Sequence, residues 1–102
     1  MRDELRRVTE LDRLIHEPAR LLIVSILSMV ESADFLFLQR ETDLTKGNLS
    51  AHLSRLENAG YIKIQKTFKG KLPLTVCKLT AAGNKAVAEY RQQLQDFMDQ
   101  TS

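Results

Sequence analysis

Residues Thr45–Gly60, TKGNLSAHLSRLENAG, decide how the chain is organised. The spacing predicts a helix of about four turns, with one face for burial and the other for polar contact. Thr45 suits the N-cap, its hydroxyl accepting from an amide two or three residues on. Gly60 suits the left-handed residue that commonly ends a helix. At about 100° per residue, Leu49, Leu53 and Leu56 fall within one narrow apolar stripe. Gly47, Ala51, Ser54 and Asn58 lie opposite, flanked by Asn48, Ser50 and Arg55. That outer face is short, polar and almost free of negative charge. On this stretch alone two readings stay open: a helix shaped for a DNA groove, or a solvated surface helix.

The charge around the stretch separates them. From Leu44 to Lys85 there are eight basic residues (Lys46, Arg55, Lys63, Lys66, Lys69, Lys71, Lys78 and Lys85) against Glu57 alone. That is a net +7, which leaves −5 for the rest of a chain whose net charge is +2. A basic half beside an acidic one is the electrostatic footprint of a nucleic-acid binder. Lysines also keep sheet edges from pairing with other chains, which accounts for part of the excess.

After Gly60 the period changes from 3.6 to 2. Ile62 and Ile64 alternate with Lys63 and Gln65, the pattern of a strand with one buried face. Phe68–Pro73 reads as a loop by its glycine and proline, and Leu74–Leu79 as the returning strand. The expected hairpin spans 61–79 and has a basic tip. Thr80 then caps a last helix, 80–99, with Ala82, Ala86, Tyr90, Leu94 and Met98 on an i, i+4 line and Val87 and Phe97 beside it.

Upstream, Leu5, Val8, Leu11 and Ile15 recur at helical spacing and predict an amphipathic helix over 5–16. Pro18 suits the first turn of a second helix, 18–32, where its missing amide proton costs nothing. That segment is apolar on most sides and belongs at the centre of a domain. Residues 34–43 are ambiguous. Phe35–Phe37 can begin as a short strand and Leu38–Thr42 can form one or two turns of helix, the first helix of a helix-turn-helix over 35–59. Its turn carries Asp43-Leu44 where glycine is usual.

At 102 residues, 43% hydrophobic and 27% charged, the composition is that of one globular domain, 1–102. No apolar run approaches the roughly 20 residues of a membrane span. The N-terminal MRDELRRVTELDR lacks the apolar core of a secretory signal. Cys77 is the single cysteine, so a reducing, cytoplasmic setting is expected, with Cys77 a small core residue rather than a redox group. His16, His52 and Cys77 are scattered, and no phosphate-cradling glycine loop occurs. No enzyme, metal site or cofactor is therefore expected. A terminal helix of close to 30 Å exceeds what one small domain covers. Leu5, Val8, Leu11, Ile15, Tyr90, Leu94, Phe97 and Met98 are accordingly expected at a homodimer interface. Any small-molecule effector is expected at that interface or in the core.

This order resembles the small winged-helix DNA-binding transcriptional regulators related to the MarR and ArsR groups. The resemblance covers about residues 10–95 and rests on HEPARLLIVSIL, DLTKGNLSAHLSRLENAGYI and LTVCKLTAAG, the second being the specific one. It implies a mainly α domain with a small β-hairpin (α+β), a winged helix-turn-helix, binding double-stranded DNA. It implies that Thr45, Lys46, Gly47, Asn48, Ser50, Ala51, His52, Ser54 and Arg55 face DNA or line its edge, with Phe68–Pro73 as the wing. Asn48 and Ser50 suit base edges, while Lys46, Arg55, Lys66, Lys69 and Lys71 suit phosphates. His52 alone stays open between a phosphate contact and the edge of the core. Wings of this kind usually carry arginines around the proline; here Leu72 and Leu74 stand there instead. Winged helices also dock proteins, the rival reading, and the basic block favours DNA over it.

Overall fold

The computed structural model describes residues 3–102, the side chain of Glu4 excepted. In chain order it holds α1 (Asp3–Arg6), a 3-10 turn (Arg7–Glu10), α2 (Pro18–Ser28), β1 (Ala33–Asp34) and α3 (Phe35–Thr42). There follow α4 (Lys46–Asn58), β2 (Ile62–Lys69), β3 (Leu72–Leu79) and α5 (Ala81–Thr101). The strands form one antiparallel sheet in the order β1-β3-β2. Helices around a small sheet make this an α+β winged helix-turn-helix, as the resemblance implies.

The helix-turn-helix is built by its caps. Asp34 caps α3 by accepting from the Phe37 amide at 2.8 Å, so the segment after Asp34 is helical and only Ala33 and Asp34 are extended. Asp43 ends α3 in the left-handed region at φ 56°, doing without glycine what a short polar side chain tolerates best. Thr45 then caps α4, its Oγ1 accepting from Asn48 N at 3.1 Å. At the far end Gly60 lies at φ +80° and hands the chain to β2. Leu49, Leu53 and Leu56 are buried, joining Ile23, Val24, Leu27, Leu38, Ile62 and Cys77 in one core.

The N-terminal segment is the main departure from expectation. Residues 5–16 are not one helix: a single α turn and a 3-10 turn end at Leu11, which is extended at ψ 141°. The physical cause is Asp12, whose Oδ1 accepts from Leu14 N and Ile15 N at 2.9 and 3.2 Å. This local capture competes with helix continuation. Leu11 and Ile15 are turned into the protomer's own core. Helix α2 ends at Ser28, not at residue 32. Ser25 and Ser28 bond back to the carbonyls of Leu21 and Ser25, and the chain must straighten to pair Ala33 with Cys77.

The hairpin differs at its tip. The strands run on through Lys69 and Leu72, leaving only Gly70 and Lys71 as the turn, with Gly70 at φ 63°. Two-residue turns with positive φ match the twist of the strands they join. Pro73 sits in β3, where the short β1 does not reach; a strand with an open edge tolerates a missing N–H.

Helix α5 ends two residues later than expected, at Thr101, and is turned differently. Its inward line is Gly83, Val87 and Tyr90, whereas Ala82 and Met98 are exposed. The cause lies at Gly83, where an added Cβ would stand 2.0 Å from the carbonyl oxygen of Tyr61. Only glycine lets the helix lie this close to the start of β2. Thr80 fastens the same corner, with its N–H on Tyr61 O at 3.0 Å and its hydroxyl on Gly60 O at 2.5 Å.

Candidate nucleic-acid interface

Helix α4 offers one continuous surface. Thr45, Lys46, Gly47, Asn48, Ser50, Ala51, Ser54 and Arg55 are all exposed, while the leucines between them are buried. Glycine, alanine and serine near the axis let a backbone approach base edges in a major groove. The first-turn amides and Lys46 face the positive end of the helix dipole, where a phosphate is held. No carboxylate pairs with Lys46 or Arg55 among the described residues.

His52 stands apart from this surface. Its Nδ1 lies 3.1 Å from Nη1 of Arg20 and 3.8 Å from Oε2 of Glu17; a guanidinium only donates, so the imidazole accepts there. Arg20 is 7% exposed, the single charged residue in the core among the described residues, and its Nε donates to the Leu14 carbonyl at 2.6 Å. Glu17 caps α2 by accepting from the amides of Ala19 and Arg20 at 2.8 and 3.1 Å. Burial pushes the Glu17 carboxyl up, but those two amides and the neighbouring His52 and Arg20 more than offset it. Its pKa lies below the ordinary 4.5. His52 therefore braces the back of α4 against the start of α2, which is the structural one of its two readings.

The wing lysines divide by strand parity. Ile62, Ile64, Lys66 and Phe68 share the face that covers the body, whereas Lys63, Gln65, Thr67 and Lys69 share the outer face. Lys66 and Lys69 thus point to opposite sides, and Lys71 occupies the turn. On the outer face Lys63 is directly opposite Lys78, a like-charged pair that raises the local potential. Between α3, α4 and the wing runs a groove of about 520 Å³, lined by Phe35, Leu36, Lys46, Ser50, Ser54, Ile64, Pro73 and Thr75 among others. It places part of the exposed face of α4 and the inner face of the wing on one side of the molecule. Sequence reasoning missed the exposure of Phe68 and Leu72 (70% and 71%).

Of the eight residues expected between two copies, Leu11, Ile15 and Tyr90 are buried within the protomer, which leaves them no surface to offer. Tyr90 bonds His16 Nδ1 at 2.7 Å, and the Tyr61 hydroxyl donates to Asp12 Oδ2. These two tyrosines tie the N-terminal segment to the body. Leu5, Val8, Leu94 and Phe97 stay half-buried and Met98 is exposed. Cys77 is fully buried, and burial pushes its thiol up to about 11. No group of His, Cys, Asp and Glu among the described residues is disposed to hold a metal. No helix there is long and apolar enough to cross a membrane.

Comparison with known proteins follows the same lines. The model of a winged helix DNA-binding domain matches residues 19–98. An uncharacterised protein of Methanocaldococcus jannaschii is 32% identical over 79 residues, 76% of this chain and 85% of its own length. The solved structure of a transcriptional regulator homologue from Pyrococcus horikoshii superposes with a TM-score of 0.89 at 29% identity, covering 99% of both chains. A MarR-family regulator from Silicibacter pomeroyi shares the fold at a TM-score of 0.65 and 20% identity, over 96% of this chain and 64% of the other.

Proposed function

Because the chain belongs to the winged helix DNA-binding domain family, we propose that it is a sequence-specific transcriptional regulator that grips double-stranded DNA as a homodimer. Helix α4 enters the major groove. Asn48 and Ser50 contact base edges, with Asn48 suited to an adenine. Thr45, Lys46, Arg55, Lys66, Lys69 and Lys71 hold phosphates, and Gly47, Ala51 and Ser54 keep the approach close. The observation that carries this reading is the face of α4 from Thr45 to Arg55, wholly exposed, small and without a carboxylate.

The homodimer is supported by shape. The protomer measures 58 × 26 × 21 Å, and the distal part of α5 carries Leu94, Phe97 and Met98 at least partly uncovered, beside Leu5 and Val8. A twofold dimer would present two α4 helices to half-sites about 34 Å apart.

Selection of bound fragments from a genomic DNA pool, with retention on heparin and random duplex DNA at low salt, tests the reading. A recovered motif with twofold symmetry supports it. Failure to bind either polyanion would replace it with the protein-docking alternative.

A further inference from the structure

The tip of the wing has an unusual surface for a part so far from the core. Phe68 keeps 70% of its surface exposed, and Pro73, directly across the ladder from it, is exposed too. Parity puts the phenyl ring on the face that carries Ile62 and Ile64 lower down. There the face covers the body and borders the groove beside Lys46, Ser50 and Ser54. Two residues beyond Ile64 the body ends, so Phe68 and Pro73 overhang the same side of the molecule as the outer surface of α4. Lys66 shares their face, Lys71 lies in the turn beside them and Lys69 is on the opposite face, and residues 61–79 contain no carboxylate. An apolar point flanked by Lys66 and Lys71 repels the same point on another copy and is drawn to a polyanion.

We propose that Phe68 and Pro73 form an apolar wedge that enters the DNA minor groove next to the major groove occupied by α4, partly unstacking one base step and bending the duplex. The proposal rests on the DNA-binding reading above. Side chains of these kinds act as such wedges, and unstacking is offset by the extra surface a bent duplex can wrap. Lys66 and Lys71 hold the phosphates beside the wedge, as a kink requires. Because pyrimidine–purine steps unstack most readily, the wedge adds a preference for TA or CA at a position where α4 touches no base.

The test uses a duplex of about three helical turns carrying a selected site, labelled at both ends for energy transfer, with 2-aminopurine at the flanking steps. The wild-type protein should shorten the end-to-end distance and brighten 2-aminopurine at one step. Phe68→Ala should lose at least half of the bend and the fluorescence rise, and bind about 10-fold more weakly. Its salt dependence should not change, since no phosphate contact is removed. Phe68→Leu should keep much of the bend. The exposed position lets these variants fold, which unchanged thermal melts would verify. Wild-type binding without bend or brightening, or a Phe68→Ala variant that bends DNA like wild type, overturns the wedge and leaves the DNA-binding reading intact. A wild-type protein that binds no duplex removes both. Phe68-dependent binding to phosphatidylglycerol vesicles in place of bending would reassign the tip to a lipid surface.

Discussion

At the scale of single residues the molecule is held by a few side chains whose partners are distant in sequence. Arg20 reads in the sequence as an interruption of an apolar run, yet it is buried because it reaches the Leu14 carbonyl and His52. Arg20→Met should cost about 2 kcal/mol in denaturant unfolding, since the buried carbonyl keeps its desolvation penalty and loses its donor. Glu17 makes a pH-dependent contribution. Its folded-state pKa lies below the ordinary 4.5, so its stabilisation is present above that value and is lost as pH falls through the folded one. Thermal melts of wild type and Glu17→Gln should therefore differ at neutral pH and converge in acid. Tyr61 has the opposite sign: the bond to Asp12, with burial, raises it from 10.0 to about 12. Stability should decline as pH climbs from 10 to 12, and Tyr61→Phe should flatten that slope. The Glu17 cap is local, but the pairings of Arg20 with His52 and of Tyr61 with Asp12 are not legible in a sequence, because nothing local says which surface a polar residue will meet.

Elements divide by how local their causes are. Helix α4 was fully legible, since its cap, its leucine spacing and its terminating glycine all lie within sixteen residues. The exposed face of the candidate site was legible with it, being the complement of the leucine stripe. The 5–16 segment was not: its apolar spacing fits a helix, and only the capture of two amides by Asp12 breaks it. Strand β1 was invisible because its partner lies more than forty residues away. At the turn between α3 and α4, Asp43→Gly should be neutral or stabilising by up to about 1 kcal/mol, whereas a β-branched residue there should destabilise by more than that. For the wing, each phosphate lysine lost should lower the slope of binding against salt by about 1. Unchanged slopes for both Lys69→Ala and Lys71→Ala would take the turn out of the interface.

The whole molecule is a compact body with a long helix leaving it. One close approach, Gly83 against the Tyr61 carbonyl, sets the angle of that departure. Gly83→Ala should destabilise the protein by about 1–3 kcal/mol, because backbone rather than a flexible side chain must give way. It should also tilt α5 and so weaken the proposed dimer, which light scattering across a dilution series would register. Paired Leu94→Glu and Phe97→Glu changes should yield monomers that keep the fold. Descent with modification faces an arithmetic constraint in the wing. With a turn of two residues and side chains alternating along both strands, adding one residue between Ile64 and Phe68 moves Phe68 to the face of Lys63 and Gln65, whereas adding two restores it. Lineages that lengthen this wing while keeping its function should do so by even steps, and odd insertions should survive only where a bulge absorbs them.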